Sequence, residues 1–156
     1  MRCFHVALAA LAVPLIFSLL SYADSTPNFS GAWQMDSAKS QVEDGRVVSL
    51  TIESVANKIK MIRIVRGKDG KEATSQFVCA TMGTECDFDD AGVKAKVSVW
   101  YNGPALVVLK TNGPKENASD EWTFKLSDAK TLTVDLEHID PSSKDETLVF
   151  NKTAGK

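Results

Sequence analysis

The stretch Trp122–Leu136, WTFKLSDAKTLTVDL, decides the fold. Trp122, Phe124 and Leu126 alternate with Thr123 and Lys125, and Leu132, Val134 and Leu136 alternate with Thr133 and Asp135. Side chains on a strand point to opposite faces with a period of two, so each segment reads as a strand with one buried and one wet face. Between them Ser127-Asp-Ala-Lys130 is a short polar turn, which makes the pair an antiparallel hairpin.

The same reading extends in both directions. Val93, Ala95, Val97 and Val99 alternate with Lys94, Lys96 and Ser98, and Asn102-Gly103 reverses the chain into Leu106-Val-Val-Leu109. Val48, Leu50 and Ile52 share a face opposite Ser49, Thr51 and Glu53. Ile59–Arg66 is β-branched and apolar on both faces. Lys68-Asp-Gly-Lys71 after it carries the Asp-Gly signal of a type I′ hairpin turn, and Glu72–Cys79 returns. Glu85–Phe88 is a shorter strand, Phe29–Met35 opens the series and Thr147–Phe150 closes it. Parallel strands require long crossovers, for which the short connections leave no room. An antiparallel meander of this length must hide its two edges, and a hairpin after nearly every strand favours closure over a sandwich. The expectation is an all-β, antiparallel up-and-down β-barrel of about 8–10 strands. The only helical candidate, Asp36–Val42, allows a turn or two.

Ahead of this domain, Arg2 is followed by the apolar run Phe4–Leu20 and by Ser21-Tyr22-Ala23, a small-x-small pattern. That is the layout of a cleavable signal peptide over residues 1–23, with cleavage before Asp24. A membrane anchor is the weaker reading, because the run is slightly short, contains Pro14 and gives way at once to polar chain. Residues 24–156 then form one domain, exported to the periplasm or the medium, soluble and monomeric. The chain has 18 basic and 20 acidic residues, for a net charge of −2 with no basic patch. Nucleic acid and membrane insertion of the mature chain are therefore not expected.

Of three cysteines, Cys3 leaves with the signal and Cys79 and Cys86 remain. In an oxidising compartment two cysteines most simply form one disulfide. Their spacing matches neither a redox motif nor a zinc knuckle, so the expected role is structural.

Gly31-Ala-Trp33 carries the Gly-x-Trp pattern that lipocalins show near their start. With Met35-Asp-Ser-Ala-Lys-Ser40, the Asn102–Val108 hairpin and the Trp122–Val134 hairpin, most of residues 28–152 resembles secreted bacterial lipocalin-like barrels. The resemblance implies that Trp33 plugs the base of the barrel. In lipocalins an arginine of the last strand stacks on that tryptophan, whereas here the last strand offers Lys152. Fatty-acid-binding barrels place a two-helix lid after the first strand. The segment Asp36–Arg46 is too short for one, which leaves loops to gate the interior.

Residues able to carry chemistry are few. His138 is the only histidine of the mature chain and shares the face of Leu132, Val134 and Leu136, as a rim or core histidine would. No nucleophile elbow, phosphate loop or His-Glu-x-x-His is present, so the chain is not expected to be an enzyme. Asp87, Asp89 and Asp90 lack the spacing of a calcium loop and read as a solvated acidic turn; no metal and no cofactor are expected. Trp100 should lie outside or at a rim. The sequons at Asn28, Asn117 and Asn151 matter only in a eukaryotic host. Arg63 has two readings. On one parity it points into the barrel with Ile59, Met61 and Val65 and needs a carboxylate or a ligand anion; on the other it lies harmlessly outside.

The function expected is passive: an exported protein holding a small apolar or amphipathic ligand in the barrel, with Arg63, Phe77, Trp122, Phe124 and Val134 as ligand contacts. Trp33, Cys79 and Cys86 are structural. The alternative is a barrel filled by its own side chains that acts through its surface, as an inhibitor of an extracellular hydrolase or an envelope interaction protein.

Overall fold

The computed structural model describes residues 26–112 and 117–154. The expected signal segment lies outside them. Ten strands follow one another: β1 (Gly31–Met35), β2 (Val47–Val55), β3 (Lys58–Arg66), β4 (Glu72–Ala80), β5 (Met82–Asp90), β6 (Val93–Asn102), β7 (Ala105–Asn112), β8 (Asn117–Leu126), β9 (Thr131–His138) and β10 (Glu146–Thr153). Each pairs antiparallel with its sequence neighbours, and β1 pairs with both β2 and β10, so the sheet closes into an up-and-down barrel. Closure leaves no free edge, which resolves the hazard of a long meander.

Register carries the alternating pattern inward on every strand. Leu50 of β2 lies beside Arg63 of β3, Phe77 of β4 beside Phe88 of β5, and Trp122 of β8 between Val108 and Leu136. The inward residues form a single apolar core that includes Trp33, Ile52, Ile59, Phe88, Leu106, Leu132 and Phe150, all essentially without solvent exposure.

The ends of the barrel differ. At the base, Trp33 is buried and its indole N–H donates to the Phe29 carbonyl at 3.0 Å. Phe29 itself lies against Tyr101, with ring centroids 6.4 Å apart. The Lys152 ammonium sits over the Trp33 ring at 5.0 Å, the place that the resemblance gives to an arginine. Gly31 makes this possible. Its φ of 144° suits glycine alone, and the Lys152 side chain passes through the space a Cβ would occupy.

Three local expectations change. Asp36–Val42 forms no helix: Asp36 closes one turn, its carboxylate accepting from the Ala38 N–H and its carbonyl from the Ser40 N–H. That turn is anchored instead to β10, because the Asp36 and Gln41 N–H groups donate to the carbonyls of Val149 and Thr147. The β3–β4 connection is not a type I′ turn, since only Gly70 has positive φ (78°). Gly70 N–H bonds to the Gly67 carbonyl and Gly67 N–H to Lys71, a three-residue loop with glycine in the left-handed position. The third change concerns β5, which begins at Met82 rather than Glu85, because Met82 pairs with Trp100 of β6 beyond the end of the β4–β5 ladder.

Cys79 and Cys86 form the disulfide, with Cα atoms 5.5 Å apart. The β4–β5 ladder runs only from Ser75↔Asp90 to Phe77↔Phe88. The disulfide joins the strands two residues further on, where backbone pairing has stopped. Replacing both cysteines by alanine is expected to cost about 2.5 kcal/mol from the loop closed. A denaturant titration of the double variant measures it, and an unchanged midpoint would mean that the bond constrains nothing.

Candidate ligand site at the barrel mouth

At the end opposite Trp33 the inward parity continues past the apolar layer and meets charge. Counting on by two from the apolar inward residues gives Arg63 after Met61, Asp90 after Phe88 and Lys110 after Val108. Counting back gives Asp120 before Trp122 and Glu146 before Leu148, while His138 follows Leu136. Arg46, one residue before β2, joins them.

These side chains link around the mouth. The Arg46 guanidinium is paired with Glu146 on one side and with Asp44 at 2.8 Å on the other. His138 Nε2 is 4.0 Å from Glu146, and its Nδ1 is 2.8 Å from Asp120. Asp120 lies 3.6 Å from the Lys110 ammonium, which is 2.5 Å from Asp90, and Asp90 accepts from the Ser75 hydroxyl at 2.8 Å. Burial pushes the Asp90 carboxyl up. The Lys110 and Ser75 hydrogen bonds and the charges of Lys110 and Arg63 outweigh it, leaving the group below the usual carboxylate range.

Arg63 stands apart within this hoop. No carboxylate among the described residues lies within 4 Å of it, and its guanidinium carbon sits 5.6 Å over the Trp122 ring. Burial pushes the guanidinium down from its ordinary value. Asp90 pulls the other way, Arg46 adds to the push, and Asp120 and Glu146 offset it only in part. The parity that places Arg63 inside the barrel is thus the one realised, without the carboxylate contact that such burial demands.

The hoop borders a basin of about 320 Å³ lined by Arg46, Arg63, Asp90, Lys110, Asp120 and His138, with Trp122 and Leu136 as its floor. Below Arg63 and Trp122 the interior narrows to an apolar throat that includes Met61, Phe124, Val134 and Leu148, where the free space is about 20 Å³. That is room for roughly one water molecule. On the outer side of His138 a second groove, of about 410 Å³, runs between the β1–β2 and β9–β10 connections and contains Glu43, Lys144 and Asp145.

Of the ligand contacts expected from sequence, Arg63, Trp122, Phe124 and Val134 converge on this throat. Phe77 does not reach it; it packs edge-on against Phe88 at 5.9 Å, and Phe88 in turn against Trp122 at 6.0 Å. The acidic run splits: Asp87 and Asp89 face outward to Lys96 and Lys94, while Asp90 turns into the mouth. The sequence reading missed Arg46, Asp90, Lys110, Asp120 and Glu146 as members of a site. The signal available was the inward parity continued by one step beyond the last apolar residue of each strand.

The overall shape has known counterparts. A fatty acid transporter, REP1-NXSQ, superposes with a TM-score of 0.61 at 12% identity, covering 81% of this chain and 97% of its own. Lipid binding protein 8 of Caenorhabditis elegans gives 0.58 at 11% identity, over 87% of this chain and 100% of that one. The fluorescent protein UnaG gives 0.54 at 16%, over 80% and 97%. No family model and no curated protein sequence matches the chain. At these identities the likeness shows a shared barrel fold.

Proposed function

We propose that this chain is an exported binding protein that takes a small amphipathic molecule at the mouth of its barrel, with the apolar part of the ligand directed into the throat beside Trp122. The observation that carries the reading is the basin over Trp122 and Leu136. Its volume falls in the lower range of small-molecule pockets, about 300–1,000 Å³, and it joins an apolar floor to a few convergent polar groups. The structural counterparts named for lipids or a fatty acid support the choice of an apolar partner. Export is supported by the Phe4–Leu20 run and by the Cys79–Cys86 bond, which belongs to an oxidising compartment. Binding needs no chemistry beyond burial, at about 25 cal/mol per Å² of apolar surface.

The small throat favours a second reading. If the roughly 20 Å³ of free space does not widen, the barrel is filled and acts through its surface, as an inhibitor of an extracellular hydrolase or an envelope protein. Titration with phenylnaphthylamine, an uncharged apolar fluorophore, separates the two. The first reading expects saturable binding at about one per chain, energy transfer from tryptophan, and a thermal midpoint that rises with ligand concentration. No binding by this compound and no shift of the midpoint would transfer the function to the surface.

A further inference from the structure

We propose that the outer face of β6 and β7 is a docking surface for a basic protein partner, anchored on Trp100 and steered by Glu121 and Glu137. The inference goes beyond the ligand reading, because it uses the outside of the barrel and stands or falls apart from the mouth.

Parity and register assemble the face. Val97 and Val99 of β6 and Leu106 and Val108 of β7 point inward and are fully buried, so Trp100, Val107 and Leu109 point outward. Met82 of β5 lies opposite Trp100, and Trp100 opposite Val107, so three strands contribute one apolar row. Leu109 extends it along β7. Met82 is 72% exposed, Trp100 and Leu109 are partly exposed, and Val107 is buried beside them. An isolated apolar side chain on a surface needs no explanation. A contiguous row centred on tryptophan and methionine is different, because it has the composition of the centre of a protein interface.

The flank of the row identifies the partner. Leu109 lies opposite Glu121, and Glu121 opposite Glu137 of β9. Like charges directly opposite on adjacent strands destabilise a sheet. No lysine or arginine among the described residues lies within 4 Å of either carboxylate; Lys96 of β6 and Lys125 of β8 are paired instead with Asp87 and Asp135. Beside the pair a groove of about 280 Å³ crosses β8, β9 and the start of β10. It takes in Asp145 and Glu146 as well as Glu121 and Glu137, with no cation on its walls among the described residues. The barrel gains nothing from this juxtaposition, whereas the lysine or arginine of a partner would relieve it. A second copy docked by the same face would bring the same carboxylates, and an anionic membrane the same sign of charge, so neither fits. The occupant is a protein segment that carries basic side chains beside an apolar one. The apolar side chain seats on Trp100 and Met82, and the cations enter the acidic groove.

The test uses three synthetic probes: a short peptide of leucine and lysine, the same peptide with glutamate for lysine, and oligolysine. Trp33 and Trp122 are buried, so acrylamide quenches chiefly Trp100 and reports on the face itself. The leucine–lysine peptide is expected to bind saturably at low salt and to protect Trp100 from acrylamide. Its affinity should fall at least about tenfold in Met82→Lys, and as far in the double variant Glu121→Gln, Glu137→Gln. Oligolysine, without an apolar side chain, should bind at least about tenfold more weakly, and the glutamate peptide should not bind. Val93→Lys adds the same charge at an exposed valine at the opposite end of β6 and should leave the affinity unchanged. Absence of saturable binding by the leucine–lysine peptide, equal binding of the glutamate peptide, or undiminished affinity in the Met82 and glutamate variants would overturn the proposal. So would an equal loss in Val93→Lys, which would assign the effect to net charge. Protection of Trp100 by phosphatidylcholine vesicles and not by the peptide would give the face to a membrane instead.

Discussion

Trp33→Ala is expected to lower the stability of the barrel by about 3–5 kcal/mol, the usual cost of deleting a large buried aromatic. Three losses combine at this position. The indole fills the base of the barrel below the apolar layer, and the residues around it belong to ten strands tied in a closed cycle, which limits how far they can collapse into the space. The Phe29 carbonyl loses the donor that holds the segment before β1 against the base. Lys152 loses the ring face under its ammonium, a contact of about 0.5–1 kcal/mol at an exposed site. A domain of this size has only about 5–15 kcal/mol in hand, so the variant should show a much lower denaturation midpoint. Lys152→Met tests the same corner gently and should cost less than about 1 kcal/mol. A Trp33→Ala midpoint close to wild type would mean that the base is held by Phe29 and Tyr101 and that the tryptophan is dispensable.

Alternation made the barrel legible because burial on one face writes a period of two into each strand separately. Trp122, Phe124, Leu132, Val134 and Leu136 were placed on a common face from sequence alone, and the register sets them beside one another across β8 and β9. The charged mouth was not legible for the opposite reason. Asp90, Lys110, Asp120, His138 and Glu146 lie at strand ends, where an inward position and a solvated one carry the same residue types. Which it is depends on how high the neighbouring strand rises, and that is a property of register between segments remote in sequence. The β7–β8 pair shows how local the matter is. Lys110 lies opposite Asp120 in the regular register of β7 and β8, and the register shifts only beyond that pair, between Lys110 and Thr111. Arg63 has two readings in sequence because Ile59–Arg66 is apolar on both faces, and its side is set by pairing with Leu50 rather than by its own segment. Turn chemistry was read correctly as turn and wrongly as type at Asp69-Gly70. A dipeptide that accepts positive φ at both residues does not require it at both.

Glu146→Ala is expected to destabilise the mouth by about 2–3 kcal/mol, although the pair it breaks contributes little by itself. The Arg46 and Glu146 side chains are only 15% and 12% exposed. Burying two charges consumes most of what their attraction returns, so an intact pair of this kind ranks near neutral against apolar residues of similar size. Removing one partner is a different matter. Arg46 would keep only Asp44, which is more than half exposed, and its Nε already lacks an acceptor. The guanidinium would then hold its charge in a half-buried position with one screened carboxylate in reach. Fully buried pairs lose about 3–5 kcal/mol on such truncation, and the residual exposure here brings the figure down. Replacing both residues by methionine should therefore restore most of the loss, to within about 1 kcal/mol of wild type. Chemical denaturation of wild type, both single variants and the double variant completes the cycle. A double variant as unstable as the sum of the singles would show that each side chain acts through separate contacts and that the hoop is not held by this pair. Recovery in the double variant would identify Arg46 and Glu146 as a unit, the loss in each single variant being that of a charge left without its partner.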